Sequence, residues 1–575
     1  VIALAASGPL VSGTVKLHSV RQHAIFTARL RVLLVAAFFL LLAALALVRI
    51  AYLGVVQPAT HTQSMAERLL PPRGDIVDRN GVPLARAFPA YALWFNPGAL
   101  GEDGGAPLVR PAAEVAAELK AIFPDLDERV VARQLESGKA GYIRRRVLPE
   151  DANRVHAIGE VGLELPRESD RYYPQGTMAA HVLGYVAADG HGRVGMESVL
   201  DKHLLDPSMR STPAQLSIDT RVQGALEDEL GRGMLATNAV GAAGIVMDVD
   251  TGEVLALASL PAFDPNRIDA EGQKRMFNRV TNQVYELGST FKPLSVAAAI
   301  DAGTITTMSR RYQASRPLEV GGFRIRDSHP LGASLNVPEA LIHSSNIVTA
   351  QIADEIGGKA LKRTMADLGM NERPYIELPA RGMPIWDDGN WSRIRTMTVS
   401  YGHGVAVTPT HLAGAYAAMV NGGIWRPATL HKVKPGEAAK GRRVFKASTS
   451  ARMNQLLRMI ALYGTGKNAD APGFRVGGKT GSAEKPGAGG YRRTTLVSTF
   501  AAAFPMDRPR YVIVAMLDEP KGTVASSYQR TAGYTAAPIV GRVVPRIGPM
   551  LGVMPDETRD VDLSDLRPLV GKGGE

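Results

Sequence analysis

Gly288-Ser289-Thr290-Phe291-Lys292-Pro293 places a hydroxyl and an amine three residues apart. Positions three apart share a helix face, so the Lys292 amine can reach the Ser289 hydroxyl. Pro293 lacks the N–H that a helix interior needs and fits only in a first turn. Ser289 is therefore expected at a helix N-terminus, where free N–H groups and the dipole favour developing negative charge. Alone, an S-x-x-K is a weak signal, because about one is expected by chance in a chain this long. Ser482-Ala483-Glu484-Lys485 is a second match, but it runs into Pro486-Gly487-Ala488-Gly489-Gly490, which does not continue a helix.

Two further motifs follow. Ser344-Ser345-Asn346 is an S-x-N inside an apolar helical pattern spanning 338–356, where a Ser and an Asn two apart can flank a cleft. Alone it also reads as a helix surface or a turn, and Ser334-Leu335-Asn336 matches from a Gly/Pro-rich loop. Lys479-Thr480-Gly481 is a K-T-G at the end of an expected strand, Phe474-Arg475-Val476-Gly477-Gly478, whose glycines permit close backbone approach. Residues 473–480 also satisfy the nucleotide-binding pattern G-x-x-x-x-G-K-T. That motif needs a strand before its first Gly and a helix after its Thr. Neither Asp470-Ala471-Pro472 before it nor Gly481-Ser482-Ala483 after it supplies this. The set decides: the three motifs stand in this order, with 55 residues from Ser289 to Ser344 and 133 from Asn346 to Lys479.

Around them the pattern is α+β. Residues 243–249, an Asp250-Thr251-Gly252 turn and residues 253–259 read as a hairpin, and 496–504 with 511–517 as another. Helical, Ala-rich segments lie between, at 294–302, 338–356 and 409–420. Strands at both ends of a domain with helices between them predict a central antiparallel sheet flanked by helices. The catalytic domain is expected over 215–550. Residues 57–214 form a separate module with no single architecture legible in it, beginning in a linker at 57–72. Arg73-Gly74-Asp75 in it reads as a chance tripeptide. The tail, 551–575, carries six acids and three bases from Pro555 onward and is expected to be loosely held.

Composition narrows the chemistry. The 575 residues contain no Cys, which excludes a disulfide framework, thiolate metal sites and a Cys nucleophile. The net charge is +11, and five of those charges fall within residues 1–56, which hold no acid. No dense basic stripe with interleaved aromatics appears, so nucleic-acid binding is not indicated. Residues 32–48 are uncharged and span about 26 Å as a helix. Arg49 can snorkel, so 32–56 reads as an uncleaved signal anchor. Four basic residues precede it, which keeps a tail of residues 1–31 cytoplasmic and exports the rest of the chain. No ATP pool is expected there, which also disfavours the nucleotide reading.

S-x-x-K, S-x-N and K-T-G closely resemble motifs of class A β-lactamases and penicillin-binding proteins. With the anchor and the long preceding module, the chain resembles a class B penicillin-binding protein, a peptidoglycan D,D-transpeptidase. Arg73–Ala85, Arg171–Gly176, His181–Tyr185 and Gly195–Glu197 look like motifs of that family's non-catalytic module. Thr398–Pro409 and Gly533–Pro538 look like its septal, FtsI-type branch, with the elongation-specific branch as the alternative. A β-lactam sensor or a non-catalytic division scaffold is a further alternative. His403 carries no role from the family. No E-x-x-x-N box lies between Asn346 and Lys479, unlike class A β-lactamases.

The resemblance implies a serine β-lactamase-like catalytic fold behind an elongated pedestal or dimerisation module. It implies Ser289 as nucleophile, Lys292 as base, Ser344 as proton relay and Lys479 as a further catalytic cation. Asn346, Thr480, Gly481 and Ser482 would bind substrate, and the backbone N–H groups of Ser289 and Ser482 would form the oxyanion hole. No cofactor or metal is implied. The expected partners are stem peptides ending in D-Ala-D-Ala, an amine acceptor, β-lactams, a SEDS-class membrane glycosyltransferase and divisome proteins. The expected location is the bacterial inner membrane, with the catalytic domain in the periplasm.

Overall fold

The computed structural model describes residues 13–55, 73–101, 108–187, 189–487 and 490–570. The expected linker at 57–72 and the first part of the basic tail lie outside them. The chain divides into two compact units, Val1–Leu70 and Pro71–Glu575. The first contains one long helix, α1 (Gly13–Val55). Within it Ile25–Arg49 is long and apolar enough to cross a membrane and has no buried residues. Its 25 residues span about 37 Å, more than a hydrocarbon core of about 30 Å. A helix apolar on every side suits lipid and a single N-terminal membrane anchor.

Near the start of the second unit lies a strand of 13 residues, β1 (Pro83–Phe95), paired antiparallel with β2 (Gly141–Val147) and β3 (Arg167–Tyr172). Helices Ala112–Ile122, Glu128–Glu136 and Pro149–Ile158 cover it through Leu93, Phe95, Val115, Leu119, Val131 and Val155. This architecture was not legible because runs of charged residues interrupt the strand pattern of β2 (GYIRRRV) and β3 (RESDRY). Those residues pair with each other, as in Arg145–Glu168 and Arg146–Asp170. Arg73, in the tripeptide read as chance, is buried, and it shares the fully buried Glu197 carboxylate with Arg171 at 2.8 and 2.6 Å.

The main elements of the catalytic domain follow. They include α2 (Thr220–Ala236), β4 (Gly241–Asp248), β5 (Val254–Leu260), α3 (Lys292–Asp301), α4 (Val337–Ile342), α5 (Asn346–Ile356) and α6 (Arg393–Val399). They continue with α7 (Pro409–Val420), α8 (Ala447–Tyr463), β6 (Gly477–Gly487), β7 (Gly490–Phe504), β8 (Tyr511–Asp518) and α9 (Ala537–Ile547). The sheet order is β6-β7-β8-β4-β5, antiparallel throughout, so strands from both ends of the domain meet in one sheet. Strand alternation sorts its two faces. Ala243, Ile245, Met247, Val512, Val514 and Met516 join the core that contains α7. Ala242, Val246, Ile513, Ala515 and Leu517 join the core that contains α2 and α9. Both faces are buried, so these strands read as nearly continuous apolar runs.

Three expectations are corrected. The helix expected over 338–356 breaks into α4 and α5, because Ser344 takes a left-handed φ of +61°. S-x-N therefore forms the break rather than lying inside a helix. K-T-G begins a strand instead of ending one: Gly473 and Arg475 have φ of +77° and +51°, making a turn, and β6 starts at Gly477. No helix follows Thr480, as a nucleotide-binding loop would require. The tail is docked through residue 570. Leu563 and Leu566 are buried, Asp560 and Asp565 pair with Arg458 and Arg452, and the Asn336 amide donates to Leu569 C=O at 2.6 Å. Asp556, Asp560 and Asp565 have basic partners, and the leucines at 563, 566 and 569 recur every three residues on one inward side.

Candidate active site

Ser289 lies in a 3-10 turn, Gly288–Phe291, that runs directly into α3. Its C=O accepts the Lys292 N–H. The turn is fixed from several sides. Gly288 has φ +54°, and Gly402 has φ +84°. A Cβ on Gly402 would stand 2.2 Å from Gly288 C=O, and one on Gly481 would stand 2.3 Å from Leu287 C=O. The absence of side chains at 402 and 481 lets the 401–404 turn and β6 close on the nucleophile turn. Tyr416 of α7 donates to Thr290 C=O at 2.8 Å.

Lys292 is fully buried. Its Nζ donates to Ser344 C=O and, at 3.0 Å, to Ser344 Oγ. The Ser289 hydroxyl, half-buried, makes no hydrogen bond to the described residues. Burial pushes the Lys292 amine well below the ordinary lysine range; the neighbouring Lys479 adds to this and Asp327 opposes it. Lys479 is also fully buried, which pulls its pKa down to about 7. Its Nζ donates to Thr480 C=O at 3.0 Å and to Thr480 Oγ1 at 3.2 Å.

The remaining expected residues gather here too. Asn346 opens α5, and its Nδ2 donates to Arg326 C=O at 2.9 Å. Gly481 and Ser482 lie on β6, an outer strand of the sheet, and Ser482 Oγ accepts the Ala532 N–H at 3.0 Å. A Cβ on Gly288 would lie 3.3 Å from Ser482 C=O, so the Ser289 turn and Ser482 are close neighbours. The competing motifs resolve as structural. Lys485 pairs with Asp518 and Glu519, and Asn336 caps α4.

Two contributors were missed in the sequence. Asp327 accepts from Ser345 Oγ at 2.8 Å and from the N–H groups of Asn346 and Ile347 at 2.5 and 3.1 Å. It thus anchors the whole S-x-N break. Thr465 Oγ1 is 2.6 Å from Thr480 Oγ1. Asp327 gave no periodic signal, being a loop residue 18 positions from Ser345. Thr465 stood in Gly464-Thr465-Gly466, a legible helix-stop signal with no chemistry attached.

Comparisons with known proteins give the family. Residues 242–544 match the penicillin binding protein transpeptidase domain, and residues 68–207 match the penicillin-binding protein dimerisation domain. A probable peptidoglycan D,D-transpeptidase FtsI of Caulobacter vibrioides is 38% identical over 495 residues, covering 84% of this chain and 82% of that one. The peptidoglycan D,D-transpeptidase FtsI of Escherichia coli K12 is 30% identical over 582 residues, covering 96% and 97%. The crystal structure of penicillin binding protein 3 from Mycobacterium tuberculosis with ampicillin shares the fold. Its TM-score is 0.66 at 24% identity, covering 86% of this chain and 99% of that one. The chain belongs to the penicillin-binding protein family and carries its transpeptidase domain.

Proposed function

We propose that the protein cross-links peptidoglycan stem peptides through an acyl-enzyme on Ser289, in septal wall synthesis. One observation carries the chemistry. A neutral amine has two N–H donors and one lone pair, and both Lys292 donors are taken by Ser344. Burial and the neighbouring Lys479 hold the amine's pKa well below the ordinary lysine range, which favours this neutral form. The lone pair is thereby left to accept the Ser289 proton as its oxygen attacks the carbonyl of the penultimate D-Ala. The Ser289–carbonyl bond forms, and the N–H groups of Ser289 and Ser482 hold the oxyanion. The proton passes through Ser344 Oγ to the departing D-Ala amine as the C–N bond breaks. A neighbouring stem-peptide amine then attacks the ester and reverses the path. Asn346 orients the donor amide, and Lys479 with Thr480 on β6, beside Gly481, receives its terminal carboxylate.

β-Lactams, which resemble D-Ala-D-Ala, should acylate the same oxygen. A fluorescent penicillin applied to membranes tests this. Wild type should label and Ser289→Ala should not; equal labelling of both would remove Ser289 from the nucleophile role. The septal reading rests on the FtsI relatives and on the Thr398–Pro409 and Gly533–Pro538 runs. It brings with it a SEDS-class glycosyltransferase and divisome proteins as partners, and an inner-membrane anchor with a periplasmic catalytic domain. A tagged copy should concentrate at midcell, whereas lateral-wall signal would assign it to elongation.

A further inference from the structure

Thr465 stands at a junction of three elements. α8 ends at Tyr463, and a Cβ on Gly464 would stand 2.7 Å from Ile342 C=O, at the end of α4. The Thr465 N–H points to the same Ile342 C=O at 3.4 Å. Its hydroxyl meets Thr480 of β6 at 2.6 Å. So one residue touches the end of the helix that delivers Ser344 and the strand that delivers Lys479.

Proton counting gives this contact a chemical meaning. Thr480 Oγ1 already accepts from Lys479 Nζ at 3.2 Å. Two hydroxyls share one hydrogen bond with each other, so the pair keeps one O–H proton whichever of them donates. No protein acceptor in the described residues takes that proton. Thr480 is 7% exposed, while Thr465 is exposed. The run Lys479 to Thr480 to Thr465 therefore leads from a buried amine outward to an open hydroxyl. Polarisation along such a chain strengthens its last donor.

We infer that Thr465 is a further substrate-binding residue: with Thr480 it forms a two-hydroxyl donor for the carboxylate of the incoming donor peptide. This deepens the function proposed above and rests on it.

The test compares benzylpenicillin with its methyl ester on the full chain, measuring the second-order rate constant of acylation. Wild type should favour the free acid. Thr465→Val keeps the shape and removes the hydroxyl. It should slow acylation by the acid about tenfold or more, the effect of losing one charge-assisted hydrogen bond, while changing the ester rate less than about twofold. Thr465→Ser should restore the preference. A merely structural role would slow acid and ester alike, so an unchanged acid-to-ester ratio in Thr465→Val overturns the inference. Its failure is separable from failure of the parent reading. A wild type that acylates without preferring the acid would remove the carboxylate site itself, and Thr465 with it. A wild type that prefers the acid, with Thr465→Val equally selective, would remove Thr465 alone.

Discussion

Lys292 Nζ lies 3.0 Å from Ser344 Oγ, and Ser344 is held at a left-handed φ of +61° to meet it. Non-glycine residues occupy that region at some cost, and such positions recur at functional sites. A fully buried lysine adds a second cost, because folding strips the amine of its water and disfavours its charged form. Both costs fall on the pair assigned to proton transfer. Lys292→Met, similar in size and apolar, should therefore abolish β-lactam acylation while raising stability by about 0.5–2 kcal/mol. Ser344→Ala should leave the fold intact and slow turnover about 10²-fold or more. Calorimetry beside acylation kinetics measures both. A Lys292→Met protein that is strongly destabilised would show that the lysine is there for packing.

The acylation rate should depend on pH through Lys479. Its pKa is pulled down to about 7 by burial. Below that value it is an ammonium able to attract the substrate carboxylate; above it the charge is lost. Lys292 is depressed well below its ordinary range, and a general base contributes the acid-side limb of such a profile. The second-order acylation constant, which reports the free enzyme, should fall as pH rises through about 7. A constant that climbs steadily from pH 6 to 9 would mean that Lys479 keeps its proton, or that the base has an ordinary lysine pKa.

Asp327 should matter twice. Its carboxylate takes three hydrogen bonds from the 345–347 segment, capping α5. Removing such a cap costs about 1–2 kcal/mol. It also opposes the depression of the Lys292 pKa. Asp327→Asn should therefore lower the melting temperature and move the acid limb of the acylation profile to lower pH. A loss of stability with an unmoved limb would confine Asp327 to capping.

The parts of this site that could be read from sequence are those whose function is tied to local spacing. Ser289 and Lys292 are three apart with Pro293 marking the first turn, and the structure places a helix start there. The two hairpins carried their own apolar runs and turn residues. Ser344 was legible as a motif but not as a break, because the apolar pattern of 338–356 continues across it while its backbone φ is imposed by neighbours. Asp327, Thr465 and Gly402 act through contacts with segments far off in the chain, which no local period records. The charged strands of the first module hid for a related reason: their arginines find partners distant in the chain, as Arg145 does in Glu168 and Arg146 in Asp170.

Gly402→Ala should damage the nucleophile turn from a distance of over one hundred residues in the chain. The added Cβ would stand 2.2 Å from Gly288 C=O, and φ +84° is unfavourable for any side chain. The cheapest relief is to push the 401–404 turn away from Ser289. Stability should fall by about 1–3 kcal/mol, and acylation should drop by more than Tm alone explains. Gly404→Ala is the internal control: its φ is +79°, yet the nearest atom its Cβ would meet is Thr398 Oγ1 at 3.9 Å. It should share the backbone strain without the displacement. Equal acylation defects in the two variants would argue for strain rather than crowding.

The docked tail should be part of the catalytic domain's stability. Arg458 of α8 is 6% exposed and is held by Asp560 of the tail and by Asp470, and it donates to Val476 C=O just before β6. Removing Asp560 leaves a buried guanidinium short of one carboxylate, a costlier state than losing an exposed pair. Leu566, fully buried in the main core, adds an apolar anchor. Leu566→Ala should cost about 2–5 kcal/mol by leaving a cavity. Asp560→Asn should cost less and act on the approach to Lys479. Thermal unfolding of the two single variants and the double separates these effects. Near-additive losses would mean independent anchors, whereas a sub-additive double would mean that the tail leaves α8 as one piece once either hold is released. If Leu566→Ala unfolds at the wild-type temperature, the tail is not part of the core.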